Sequence, residues 1–375
     1  MQILSSFVLV ACTTNVEIDS DTSLPDTTLG VTTTGDSPIT STSTFAAPDS
    51  EPPTPGTTEV SSDSQDSGSG TTDSTTGLDD GLGCAEADDH VAKTKRLHDI
   101  DGDGLADLHI KAGDQWKIDF AANGFGSWDR VLSGFGVTSL PAPADYDGDG
   151  RTDLAVRSDD GGWFIDLSAN CLGDRWDRQY FGYGGPVFHP VPSDYDGDGK
   201  ADLSVKGDNG YWGLDLSTIG LGGWDQDLGG YEGAAFVPVP SDYDGDGRAD
   251  LSVKGDTSWK IDFANTGFKG WELQANGHGD LSFHPAPADY DGDGKTDLSA
   301  KGDNGSWGID FATDGFGGAW DLEVTGYGDG SQIPIPADYD GDGKADLSVL
   351  GVNGLFGIDY AINGFGNLDE VHQFE

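Results

Sequence analysis

The sequence predicts an all-β fold, a six-bladed β-propeller of four-stranded blades, preceded by a disordered Ser/Thr/Asp-rich stalk. Three observations carry that prediction. A nine-residue acidic stretch, written DYDGDGKAD at residues 194–202, occurs six times, with first aspartates at 99, 145, 194, 242, 289 and 338. The intervals are 46, 49, 48, 47 and 49 residues, and a fixed period of this size marks a repeat architecture. Between the acidic stretches, short runs alternate apolar and polar residues with period two, the pattern of strands. All ten tryptophans fall into two slots of the repeat.

From the N-terminus, residues 1–11 hold a short apolar run that closes on Leu9, Val10, Ala11 and Cys12. This resembles the bacterial lipoprotein signal, which implies lipidation of Cys12; plain secretion is the alternative. The run is too short to span a bilayer. Residues 12–83 are mostly Thr, Ser, Asp, Gly and Pro, with too little apolar surface to offset the entropy of ordering, and read as a stalk. Residues 84–375 carry all the tryptophans and form the propeller, with repeats starting near 92, 138, 187, 235, 282 and 331. The formal charge of -48 leaves no basic stripe for nucleic acid. Membrane contact is expected only through the lipid anchor.

One repeat, residues 188–233, shows the strand order. The run FHPVPSDY is extended and closed by prolines; DLSVKG alternates Leu203 and Val205 against Ser204 and Lys206. A DNG turn leads to YWGLDLS, and a Gly-rich turn to GWDQDLGGY. Four strands in about 48 residues is the size of a propeller blade. Trp116, Trp163, Trp212, Trp259 and Trp307 share one slot with Phe356, and Trp128, Trp176, Trp224, Trp271 and Trp320 share the other with Leu368. A residue repeated in every blade is expected to pack between blades, so both slots are assigned to core. The first copy takes its upstream strand from about residues 92–97, which gives six whole blades with no strand exchanged at the closure.

Each acidic stretch has Asp at positions 1, 3, 5 and 9 and Gly at 4 and 6. Calcium takes six to eight oxygens in flexible geometry, and alternating carboxylates on a tight loop supply them. A helix-loop-helix site would place its last acid at position 12 and continue as helix, whereas here the last acid is followed by a strand. A metal-free acidic turn is the bland alternative. The stretch resembles the calcium loop of the FG-GAP or VCBS repeat family, the β-propeller repeat of integrin α-subunit heads and many bacterial surface proteins. That resemblance implies about six structural Ca²⁺ ions, each held by four aspartates and the carbonyl at position 7. The ligands it implies are Asp99, Asp101, Asp103 and Asp107; Asp145, Asp147, Asp149 and Asp153; and Asp194, Asp196, Asp198 and Asp202. The later copies give Asp242, Asp244, Asp246 and Asp250; Asp289, Asp291, Asp293 and Asp297; and Asp338, Asp340, Asp342 and Asp346. The loops account for 24 of the 67 acids, and six calcium ions would move the formal charge from -48 to -36.

Further slots repeat outside the loops. The third strands carry Asp119, Asp166, Asp215, Asp262, Asp310 and Asp359, and the second strands Lys111, Arg157, Lys206, Lys254 and Lys301, with Leu350 in the sixth copy. Both lie on the polar side of their strands, so a cross-strand ion pair is expected in each blade. Tyr183, Tyr231, His278 and Tyr327 share a slot in the connection to the next blade, and His189 and His284 share another. In the family that connection contributes to ligand binding, and some relatives are lectins that hold a sugar between blades. The four Tyr/His residues are therefore candidates for a ligand face, with turn stabilisation as the alternative. Cys84 and Cys171 are an even pair once Cys12 is lipidated, and in an oxidising compartment a disulfide between them is one open reading and two unpaired thiols the other.

The expectation is an exported, surface-anchored, monomeric calcium-binding propeller, on a bacterial outer membrane or cell surface or else secreted. Its role is recognition or adhesion, with carbohydrate as the first expected partner. A protein-binding adhesion or structural role is the alternative, and a polysaccharide-acting enzyme is a third reading. No catalytic constellation is evident in the sequence.

Overall fold

The computed structural model describes residues 98–173 and 176–375. The signal, Cys12, the stalk, Cys84 and the upstream strand expected at about 92–97 lie outside the described residues. The described chain is a six-bladed all-β propeller. Blade 1 contributes three described strands, Leu108–Ala112, Gln115–Asp119 and Arg130–Ser133, which match the second to fourth strands of the other blades. Blades 2 to 6 are four-stranded antiparallel sheets in chain order. Blade 3 is typical: Phe188–Pro190, Leu203–Gly207, Trp212–Asp215 and Gln226–Leu228. First strands are short and prolyl, and those of neighbouring blades approach one another. No helix among the described residues is long and apolar enough to cross a membrane.

The register explains how both faces of a blade come to be buried. In blade 3, Trp212 pairs with Lys206, Leu214 with Ser204, Gly213 with Val205 and Asp215 with Leu203. Cross-strand partners share a face. One face therefore carries Trp212 and Leu214 beside Ser204 and Lys206. The other carries Leu203 and Val205 beside Gly213 and Asp215. Each face is half apolar and half polar, and each meets a neighbouring blade.

The core is correspondingly divided into six clusters, one per interface. Trp116 and Ile118 of blade 1 meet Leu154 and Val156 of blade 2; Trp163 and Ile165 meet Leu203 and Val205; Trp212 and Leu214 meet Leu251 and Val253. Trp259 and Ile261 meet Leu298, and Trp307 and Ile309 meet Leu347 and Val349. The sixth cluster joins Phe356 and Ile358 of blade 6 to Ala106 and Leu108 of blade 1, so the ring closes by packing. All five first-slot tryptophans are fully buried. The second-slot tryptophans are only half-buried, standing at the rim of the interfaces rather than inside them.

The expected ion pair is corrected by this register. Lys206 and Asp215 lie on opposite faces of their sheet because the polar side of the second strand is paired with the apolar side of the third. The cations instead reach main-chain carbonyls of the connection to the next blade. Lys111 Nζ donates to Gly136 O at 2.7 Å, Lys206 to Gly233 O at 3.3 Å, Lys254 to Asp280 O at 3.2 Å and Lys301 to Asp329 O at 2.9 Å. Arg157 donates to the carbonyls of Tyr183, Gly185 and Phe188. Burial holds the amines of Lys206, Lys254 and Lys301 below their usual range, with Lys254 lowered to about 8.

Candidate metal centres

In blades 2 to 6 each acidic loop is the hairpin between the first and second strands, pinched at its base by a bridge such as Ala144 to Asp153 or Ser193 to Asp202. Its glycines are required. Gly148 has φ +82, a left-handed torsion that favours glycine, and a Cβ there would lie 3.0 Å from Lys200 Cγ of the next loop.

The turn folds the carboxylates inward and feeds them main-chain donors. In the second loop, Asp145 Oδ1 accepts from Gly148 N at 2.6 Å and Oδ2 from Gly150 N at 2.9 Å. Asp147 Oδ1 accepts from Asp149 N at 3.2 Å, and Asp149 Oδ1 from Arg151 N at 2.8 Å. Asp153 Oδ2 accepts from Tyr146 N at 2.9 Å. The same pattern holds for Asp194 to Asp202 and Asp289 to Asp297.

Three of the four acids of a loop converge. Carboxylate oxygens of Asp99, Asp101 and Asp107 lie within 4.8 Å of one another, as do those of Asp145, Asp147 and Asp153, of Asp194, Asp196 and Asp202, and of Asp289, Asp291 and Asp297. In the fourth loop the converging set is Asp242, Asp244 and Asp246. Two oxygens on one calcium at 2.3 to 2.6 Å can be at most about 5 Å apart, so the spacing fits a shared ion.

Electrostatics point the same way. Burial, with the neighbouring carboxylates adding to it, raises Asp107 to about 8 and Asp153, Asp202, Asp250, Asp297 and Asp346 to about 7. Burial also raises Asp99 to about 6. Clustered, buried, oxygen-only donors suit a hard divalent cation, which would replace the mutual repulsion with attraction. The residues thus fit calcium.

The loops are joined to each other. The position-8 amide of one loop donates to the position-1 carbonyl of the preceding loop: Thr152 to Asp99, Ala201 to Asp145, Ala249 to Asp194, Thr296 to Asp242 and Ala345 to Asp289, at 2.6 to 2.8 Å. A conspicuous repeated tyrosine, which sequence reasoning left without a role, anchors the loops of blades 2 to 6 from below; the first loop has Ile100 in its place. Tyr146, Tyr195, Tyr243, Tyr290 and Tyr339 donate to a carbonyl four residues back.

The four Tyr/His candidates for a ligand face are corrected. Tyr183, Tyr231, His278 and Tyr327 are at most 4 % exposed. They are struts between blades: each reaches the third-strand aspartate of the next blade, Asp215, Asp262, Asp310 and Asp359 respectively. The Tyr231–Asp262 distance is 2.5 Å and the His278–Asp310 distance 2.6 Å. Three of them also meet the second-slot tryptophans edge-on: Tyr183 with Trp224, Tyr231 with Trp271 and His278 with Trp320. The other shared slot is more open, with His189 and His284 against Asp208 and Asp303. Cys171 is disulfide-bonded, and both Cys12 and Cys84 lie outside the described residues.

No family model matches the chain, and no curated protein matches it. Among solved structures, a lectin from Agrocybe aegerita, studied for specific recognition of non-reducing terminal N-acetylglucosamine, superposes with a TM-score of 0.52. It is 19% identical over 74% of this chain and 78% of its own. BBS1N in complex with ARL6DN, soaked with lead, gives a TM-score of 0.44 at 12% identity over 78% of this chain and 84% of its own. At 19% identity the likeness to the lectin is one of fold alone.

Proposed function

We propose that this protein is an exported calcium-binding propeller that recognises carbohydrate at a cell surface. The metal part of the reading is supported by the converging aspartates of the loops. Asp99, Asp101 and Asp107, and their counterparts in each blade, would hold a structural ion that links a blade's first two strands.

The observation that carries the carbohydrate part is the rim of the blade interfaces. Half-buried tryptophans recur there, and between blades 6 and 1 a shallow recess is lined by Gly126, Ser127, Trp128, Phe374 and Glu375. A half-buried indole beside a carboxylate and main-chain groups suits a sugar, whose apolar C–H surface packs on aromatic carbon and whose hydroxyls need acceptors. The lectin of the same fold gives further support to carbohydrate as the ligand class. Glycan-array binding by the calcium-loaded full chain tests the reading, with Trp128→Ala as the control that should lose signal. Retained adhesion to cells with no glycan bound would turn the reading toward a protein partner.

The export reading rests on the segment ending at Cys12. Metabolic labelling with palmitate should mark the wild type and not Cys12→Ala; an unlabelled wild type would leave secretion as the route.

A further inference from the structure

A short turn follows every third strand, and its position is set by the loop beneath it. Its first amide donates to Oδ1 of that loop's position-9 aspartate in all six blades: Ala121 to Asp107, Ser168 to Asp153, Ser217 to Asp202, Ala264 to Asp250, Ala312 to Asp297 and Ala361 to Asp346, at 2.8 to 3.0 Å. The second residue of the turn is therefore placed over the loop's position-3 and position-5 carboxylates whatever its chemistry.

That chemistry differs between blades. In blade 3 it is Thr218, whose Oγ1 donates to Asp196 Oδ2 at 2.5 Å and lies 3.1 Å from Asp198 Oδ2. In blade 4 Asn265 Nδ2 donates to Asp244 Oδ2. In blade 5 Thr313 Oγ1 lies 2.8 Å from both Asp291 Oδ2 and Asp293 Oδ2. Blades 1, 2 and 6 have Ala122, Ala169 and Ile362 in the slot, which offer no polar side-chain atom.

We propose that Thr218, Asn265 and Thr313 divide the six loops into two classes, with the loops of blades 3, 4 and 5 holding calcium more tightly than those of blades 1, 2 and 6. This rests on the calcium reading above. The main-chain amides of a loop engage Oδ1 of its position-3 and position-5 aspartates, which leaves rotation toward the ion to be fixed by whatever holds Oδ2. A hydroxyl or amide bonded to Oδ2 orders the carboxylate before the ion arrives, so less conformational entropy is lost on binding. The hydroxyls of Thr218 and Thr313 also set a neutral oxygen beside carboxylates that would share an ion accepting six to eight oxygens.

Calorimetric titration of calcium into the decalcified full chain should resolve two sets of sites of equal number. The triple variant Thr218→Ala, Asn265→Ala, Thr313→Ala should weaken the tighter set about tenfold, a loss of about 1.4 kcal/mol per site. Ala122→Thr with Ala169→Thr should convert two weak sites to tight ones; these positions are exposed, so the fold is not at stake. Six equal sites, or a triple variant with the wild-type isotherm, would overturn the two-class proposal and leave calcium binding standing. Absence of any calcium heat would remove the metal reading itself.

Discussion

The amide of Ala106 donates to the carbonyl oxygen of Asp338 at 2.8 Å, joining the loop of blade 1 to the loop of blade 6 and completing a circle of equivalent bonds. This seam differs from the other interfaces. Phe356 replaces a tryptophan and stacks near Phe125, Tyr339 and Phe374, while Trp128 lies 4.4 Å from Phe374. Phe356 is fully buried. Phe356→Ala is expected to cost about 3–5 kcal/mol by loss of transfer energy and by the cavity left behind. Denaturant unfolding measures the loss, and amide exchange should quicken first in blades 1 and 6. Uniform acceleration in all blades would contradict a localised seam.

Removing calcium should lower the melting temperature markedly, because an ion bound only by the folded chain stabilises it by mass action. Scanning calorimetry before and after chelation checks this. An unchanged transition would mean that the loops hold no ion that matters to the fold.

Without calcium, stability should fall as pH rises. The position-9 aspartates are raised by burial to about 7 or 8 in the folded chain, against an ordinary value of 3.8 in the unfolded one. Through the window between those values the folded state binds more protons, so the slope of stability with pH is negative. The decalcified protein should melt at a higher temperature at about pH 5 than at about pH 8, and saturating calcium should flatten or invert the trend. A decalcified protein that grows steadily more stable toward pH 8 would refute it.

Tyr231→Phe removes the hydroxyl that donates to the buried Asp262 carboxylate while leaving the Gly270 amide on the same oxygen. The expected cost is about 1.5–3 kcal/mol, the range for a hydrogen bond to a charged group. Equilibrium unfolding reads it. A strut predicts unchanged ligand binding, whereas a ligand-face residue would lose affinity at wild-type stability.

Cys171 takes a left-handed conformation, φ 80, in a slot that glycine fills in the other blades. Peptide mapping without reductant is expected to recover it linked to Cys84. Closing that 86-residue interval would constrain the unfolded chain by about 4.6 kcal/mol in the loop-entropy model. A Cys171 peptide joined to Cys12 would exclude both this pairing and the lipid anchor.

Much of this was legible in the sequence because the repeat supplies six readings of the same sentence. The loop period, the strand order and the first tryptophan slot needed only alternation and spacing. The cation–aspartate pairing failed because alternation gives the polar side of each strand and not the register between two strands; Asp215 pairs with Leu203, not with a polar neighbour. The Tyr/His slot failed for a related reason. In a closed ring both faces of every blade are covered, so a polar residue such as Tyr327 can be as buried as a leucine. Thr218 escaped notice because it meets Asp196 across 22 residues of chain, and its slot shows no common residue type among the blades.

The six clusters between blades have a consequence for concentrated solutions. Each interface sets the tryptophan face of one blade against the Leu/Val face of the next, always in the same direction along the chain. Such head-to-tail surfaces yield a closed ring only if the final face meets the first within one molecule. A chain whose seam has opened presents an unsatisfied donor face on blade 6 and an unsatisfied acceptor face on blade 1, which another opened copy can fill. The aromatic seam around Phe356 therefore does more than add stability: it keeps the molecule from becoming a link in a filament.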